Sequence, residues 1–312
     1  MQRWVAGRSI LLSLLVLVVC AMVAAACGPV GSPSASTALM SGHTTSAPPF
    51  TTLPTPTTTT TSVTPTTVST MVSPTSHGPV TITVLYDNHA TCSGTEADWG
   101  FSCLIEGLEK TVLFDTGKDG DILLHNMQAL QIEPEDIDVV VLSHEHGDHT
   151  GGLARVLARN PDIAVYYPAS FPEGFVRAAQ TAGASLAPVY GPVAPCAGLL
   201  VTSPSGTPSE SGLLVDAAEG YVLVTGCAHP GIVEMVTAAV DLVGEPVFAV
   251  VGGFHLLSHS AGDVDRIVEQ LRQLGVERCG PAHCTGEAAT ARMRAAFADG
   301  FIEMGVGSII TF

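Results

Sequence analysis

The sequence predicts an α/β fold in which two β-sheets lie face to face and are covered by helices on both outer sides, an αββα sandwich. Three observations carry this reading. Strand-like and helix-like runs alternate from residue 79 to the end, and strands are rich near both ends of that region. The strand read over 138–142 is continuously apolar after Asp138, as in a strand buried on both faces.

Residues 81–86, 101–106 and 111–115 read as the first strands, followed by a helix over 120–131 through Ile122, Leu123, Met127 and Leu130. The apolar strand 138–142 comes next, then a helix over 150–159, a strand at 163–167, a helix over 174–182 and a strand at 199–203. Residues 212–216 and 221–225 flank a turn and predict a hairpin. A helix over 231–242, a strand at 247–251, a helix over 263–274, a strand at 276–279, a helix over 287–298 and a strand at 307–312 complete the pattern.

The first 78 residues have a different composition. Arg3 and Arg8 precede an uncharged apolar run over 10–23, and Ala24, Ala25 and Ala26 stand directly before Cys27. This is the layout of a secretion signal over residues 1–27. The ending is similar to a lipoprotein cleavage site with Cys27 as the lipidated residue; a plain signal peptide and an uncleaved anchor are the other readings. Each places the rest of the chain outside the cytoplasm, and contact with a membrane is expected only through this segment. Residues 28–78 are dominated by Thr, Ser and Pro, which bury too little apolar surface to offset ordering entropy, so a disordered linker is expected there. Residues 79–312 form one domain with a substantial core.

With 12 Lys and Arg against 29 Asp and Glu, the chain carries a formal charge of −17. That excludes nucleic acid as an expected partner, because phosphate binding needs clustered cations. A small-molecule substrate fits better. Past residue 27 there are six cysteines, and Cys92 with Cys103 is the pairing expected first if a disulfide forms.

The chemistry concentrates after strand 138–142. His144, His146, Asp148 and His149 place four metal-competent side chains within six residues. Alternate residues of a tight loop point the same way, so His144 and His146 are expected to face one ion and Asp148 and His149 a second. The spacing excludes a His-Glu-x-x-His zinc site, since Asp148 stands where the second His would be. His229 and His283 follow later strands, where sheet ends present ligands. No Gly-x-Ser-x-Gly elbow is present.

His-x-His-x-Asp-His after an apolar strand resembles the signature of the metallo-β-lactamase superfamily, and Phe114-Asp115-Thr116-Gly117 resembles its preceding Asp motif. Residues 85–88, 225–231, 252–256 and 283–286 further resemble a subfamily usually named for a dihydropterin ribofuranosyl-aminobenzene phosphate synthase. The resemblance spans residues 80–312 and implies the αββα sandwich of that superfamily. It implies His229 as completing the first metal position, His283 as completing the second, and Asp115 as the support beneath the loop. The cofactor it implies is zinc, as two ions, with iron or manganese as alternatives.

The sequence departs from the superfamily where a bridging Asp is expected: Gly226 is followed by Cys227. Cys227 reads as a thiolate ligand or as a buried small hydrophobe. His255 reads as a ligand or as a pocket residue that donates a proton or hydrogen bond to substrate, the latter favoured. Asn88 and His89 read as lining the pocket mouth or as surface; His125 and His259 read as surface. The expected activity is hydrolysis of a small ester, lactone or phosphoester by metal-activated hydroxide that Asp148 orients. A synthase-like transferase or lyase and a non-catalytic metal-binding module are the alternatives. Fold alone does not imply β-lactam hydrolysis.

Overall fold

A computed structural model describes residues 79–312, so the expected signal segment and linker lie outside the described residues. Alternation of side chains explains the architecture. In β1 (Thr81–Tyr86), β2 (Ser102–Glu106), β3 (Val112–Phe114) and β4 (Val139–Val141), the residues Ile82, Val84, Cys103, Ile105, Val112, Phe114, Val139 and Val141 enter one core. Their neighbours Leu104, Leu113 and Val140 enter another, shared with α1 (Gly120–Ala129). A strand with apolar residues on both faces must be covered twice, and here a second sheet covers one side and helices the other.

The chain continues through α2 (Gly147–Thr150), α3 (Leu153–Arg159), β5 (Ala164–Pro168), α4 (Glu173–Thr181), β6 (Ser185–Val189), β7 (Val193–Cys196), β8 (Leu199–Val201), β9 (Leu213–Ala217) and β10 (Gly220–Thr225). It closes with α5 (Ile232–Val243), β11 (Val247–Gly253), α6 (Ala261–Gln273), β12 (Arg278–Ala282), α7 (Glu287–Phe297) and β13 (Ile309–Thr311). The first sheet has the order β13-β1-β2-β3-β4-β5-β6 and the second β12-β11-β10-β9-β8-β7. Leu213, Val215, Val222, Val224, Ala249 and Val251 of the second sheet meet the first across the central core. Leu214, Leu223 and Val250 face outward against α5, α6 and α7.

The capping chemistry is local and explicit. Asp119 caps α1 through Asp121 N and Ile122 N, and Ser260 with Asp263 forms a reciprocal capping box on α6. Gly244 ends α5 in the left-handed conformation.

The structure differs from the sequence reading at four places. The helix expected over 150–159 is two pieces, and its first piece contains Asp148 and His149 themselves. β6 and β7 were not anticipated as strands. β12 lies two residues later than expected at its start and runs directly into His283. The bridge expected between Cys92 and Cys103 is not formed: Cys103 is buried between the sheets, whereas Cys92 sits in a loop with its thiol toward Ser93 O.

β3, β4 and β5 run parallel, as do β10, β11 and β12. Their carboxyl ends therefore emerge in groups, the usual place for a site in a sheet of this kind. Phe114 anchors that end of the first sheet as one of the largest fully buried side chains. Phe114→Ala is expected to cost about 3–5 kcal/mol; a fall in the urea midpoint of the purified chain at unchanged slope checks it.

Candidate metal centre

Loops at strand ends bring the candidate ligands together. His144 follows β4, Asp148 and His149 lie on α2, His229 follows β10, His255 follows β11 and His283 follows β12. The imidazoles form a continuous cluster: His144 lies 4.7 Å from His146, 4.2 Å from His149 and 4.6 Å from His229 by ring centroids, and His149 lies 5.1 Å from His283. Residues up to 139 positions apart in sequence therefore share one cavity.

Each buried ring is aimed by a hydrogen bond to one nitrogen. Ser143 Oγ meets His144 Nδ1 at 2.8 Å, Asp115 Oδ2 meets His149 Nδ1 at 2.7 Å, Glu210 Oε2 meets His229 Nδ1 at 2.8 Å, and Asn88 Oδ1 meets His283 Nδ1 at 3.1 Å. In all four the Nε2 atom is left facing inward, as outer partners do for metal-binding histidines. His146 does the reverse: its Nδ1 faces His144 Nε2 at 3.1 Å.

Asp115 is fully buried and also accepts from Ser143 N and Ser143 Oγ, both at 2.7 Å. Burial pushes its carboxyl up to about 7, against the pull of His144 and the Ser143 bonds. Burial pushes His144 and His149 the other way, to about 3 each, aided by neighbouring imidazoles. Both rings are thus neutral at physiological pH, with lone pairs available to a cation. Burial raises the Asp148 carboxyl, but His283 and His149 hold it well below the usual range.

Glu210 escaped the sequence reading. It lies between β8 and β9 in a Ser/Gly/Pro-rich turn that reads as solvated surface, yet it is fully buried. One carboxylate oxygen accepts from Cys227 N at 2.9 Å and Ala228 N at 2.8 Å, the other from His229 N at 2.9 Å. Burial raises this carboxyl, but the His229 bond, the nearby His144 and the backbone donors outweigh it and hold it down to about 2. Two further residues were missed. Trp99 donates Nε1 to Asp148 Oδ2 at 2.8 Å and its ring lies 4.7 Å from that of His283. Asp87 accepts from His283 N at 2.8 Å.

Cys227 faces this cluster. It is buried, but its Sγ lies 3.2 Å from His149 Nε2. It belongs both to a donor set with His144 and His229 and to one with His149 and His283, each with its donor atoms within 4.8 Å of one another. That is the shared position between the two sets. The loop reaches it because Gly226 has no side chain: a Cβ there would stand 2.1 Å from Ser143 Oγ.

His255 is exposed at the rim, its ring 4.6 Å from that of His229, and its bond to Cys284 raises its pKa above the ordinary value. Asn88, His89 and His259 line a neighbouring groove of about 840 Å³, with Trp99, Leu257 and His283. His125 is exposed and contacts Gly94 O. Cys279 packs beside Met293 in the outer core of the second sheet, away from the cluster.

The donor set fits a divalent metal. Several imidazoles, an ionised Asp and a thiol converge in one cavity, and His283 Nε2, 3.3 Å from Asp148 Oδ2, is a buried nitrogen without a hydrogen-bond partner among the described residues. Glu210→Ala is expected to cost about 3–5 kcal/mol by stranding four donors in the interior. Denaturant unfolding of the variant beside the parent chain checks this.

Comparison with known proteins agrees with this geometry. The family model of the metallo-beta-lactamase superfamily matches residues 100–283. The 7,8-dihydropterin-6-methyl-4-(beta-D-ribofuranosyl)-aminobenzene-5'-phosphate synthase of Methanocaldococcus jannaschii is 29% identical over 265 residues, covering 68% of this chain and 90% of that protein. Among solved structures, Tm1679, a metal-dependent hydrolase of the beta-lactamase superfamily, matches with a TM-score of 0.62 at 27% identity, over 74% of this chain and 98% of its own. YhfI from Bacillus subtilis, a metallo-beta-lactamase fold protein, matches with a TM-score of 0.57 at 13% identity, over 75% of this chain and 100% of its own, a likeness of fold alone. The family match begins at Gly100 and ends on His283, enclosing the histidine cluster with Asp115 and Glu210. The chain belongs to the metallo-beta-lactamase superfamily.

Proposed function

We propose that this chain is a metal-dependent hydrolase holding two divalent ions, zinc in the first instance, and acting on a small ester, lactone or phosphoester. One observation carries the reading: four histidines each have Nδ1 fixed by a hydrogen bond and Nε2 turned into the same cavity. His144, His146 and His229 would hold one ion, and Asp148, His149 and His283 the other, with Cys227 shared. When bound, zinc supplies Lewis acidity and a water acidic enough to attack at neutral pH.

The chain's own residues do the rest. Asp115 and Glu210 hold the imidazoles in one tautomer and orientation. Trp99 fixes Asp148 Oδ2, the oxygen that faces His283. His255 stands at the rim, where its imidazole reaches a substrate atom entering the cavity and donates a proton or hydrogen bond. The adjoining groove of about 840 Å³, with Trp99, Leu256 and Leu257 on its wall, is large enough for a drug-sized organic substrate. On the same grounds as the N-terminal composition, the reaction is placed outside the cytoplasm, with the chain secreted or lipid-anchored.

A second reading is favoured by the M. jannaschii relative, which the chain covers over 90% of its length: a synthase-type transfer on the same scaffold. The two separate on substrate. Hydrolysis of an ester or phosphodiester panel that chelation stops supports the first; product formation only with a dihydropterin and a ribofuranosyl-aminobenzene phosphate supports the second.

Elemental analysis of the full chain purified without added metal is expected to give about two zinc per chain. His146→Ala is expected to lower that content and abolish turnover. A metal-free parent chain that gains no metal on zinc addition would overturn the assignment, and tight metal without turnover on either panel would leave a binding module.

A further inference from the structure

Cys284 is a thiol for which the proposed reaction has no use, and it lies beside the one sulfur that both donor sets share. It follows His283 directly, is 5% exposed, and its Sγ reaches 3.6 Å from Cys227 O. Cys227 is 3% exposed. The two sulfurs and a ring nitrogen of His255 all lie within 4.8 Å of one another. Nothing in sequence prepares this: the two cysteines are 57 positions apart and come from the ends of different strands.

Gly253 at the end of β11 makes the approach. A Cβ on Gly253 would stand 2.9 Å from Cys284 Sγ and 3.2 Å from Cys227 Cα, so any side chain there would push the two thiols apart. The bare glycine leaves room for the two sulfurs to lie within 4.8 Å of each other. The remaining described cysteines have no such neighbour. Cys103 and Cys196 are enclosed in one hydrophobic core and Cys279 in another, and Cys92 lies in a loop.

We propose that Cys227 and Cys284 are a redox-modification site at which a hydroperoxide converts the two thiols into one disulfide, and that this bond and metal at the shared sulfur exclude each other. The second half rests on the metal-centre reading above. The chemistry balances with hydrogen peroxide as oxidant. Cys227 sulfur attacks one peroxide oxygen, the O–O bond breaks, and a sulfenic acid and one water form. Cys284 sulfur then attacks the sulfenic sulfur, the S–S bond forms and the S–O bond breaks. The hydroxyl leaves with the Cys284 proton as a second water. Two thiols lose two electrons in all, and the peroxide gains them.

The route in is the cavity itself. Cys227 Sγ faces it beside His149, and His146 and Trp99 on its border are exposed. Peroxide is small enough to enter where a bulky disulfide is not. A bound cation would engage the Cys227 sulfur and protect it; oxidation would remove the thiolate charge that holds the cation. The competition therefore runs in both directions, as linkage requires.

The test uses the full chain, reduced, in zinc-free and zinc-loaded forms, exposed to a modest excess of hydrogen peroxide. Fragment-level mass spectrometry should find Cys227 joined to Cys284, with the chain lighter by about 2 Da, one hydrogen lost from each thiol. Zinc content should fall by about half or more in the oxidised chain and return after reduction. The zinc-loaded form should oxidise more slowly by about tenfold or more. Cys284→Ser should keep its zinc and give no internal bond, with Cys227 carried instead to the sulfenic or sulfinic state. Joined cysteines with zinc retained would overturn the exclusion, and free or separately oxidised thiols in the parent chain would overturn the disulfide. A reduced parent chain that binds no zinc would overturn the metal-centre reading and the exclusion with it, while the thiol mapping still decides the disulfide.

Discussion

The buried carboxylate of Asp115 is the interaction on which the site depends. It sits at the end of β3, is wholly enclosed, and accepts from Ser143 N, Ser143 Oγ and His149 Nδ1. A charge there is tolerable only with its lone pairs filled. Filling them ties the end of β4 and the short helix α2 to the end of β3. Ser143 passes the constraint on to His144. Glu210 does the same under the second sheet, gathering the backbone of Cys227, Ala228 and His229 and the ring of His229. Asp115 thus orients His149 and, through Ser143, His144, Glu210 orients His229, and the buried Asp87 after β1 holds the backbone of His283.

How far the sequence disclosed this depends on whether the signal was local. His144, His146, Asp148 and His149 stand in one short run after an apolar strand, so spacing alone exposed them. Glu210 has no local mark: its burial comes from a long-range return of residues 203–212 onto the loop after β10. Trp99 reads as one aromatic in a polar loop until the fold brings it to Asp148. Cys227 could not be decided from composition, since a buried thiol and a ligand thiol have the same letter and only the direction of Sγ separates them.

The missed or shifted strands have one shared cause. β6, β7 and β12 contain Pro188, Pro195 and Pro281, and all three lie at sheet edges. Proline lowers the strand signal because it cannot donate to a ladder, yet an edge strand has a side where no donation is asked of it. The same residues blunt those edges against pairing with other chains. The interior strands, whose apolar runs carry no proline before their last residue, were legible within a residue or two.

Four of the site's loops turn through residues in the left-handed region that are not glycine: Asp115 at φ 57°, Ala228 at 57°, His255 at 53° and His283 at 46°. Such conformations are held only where surrounding contacts over-determine them, at roughly 1–3 kcal/mol each. The rim of the sandwich is therefore kept under tension by its own core. Loosening the contacts beneath it would let these turns relax and turn the side chains they carry away from one another. Its ligand geometry is then a property of the intact sandwich, and a fragment carrying only the histidine run would not inherit it.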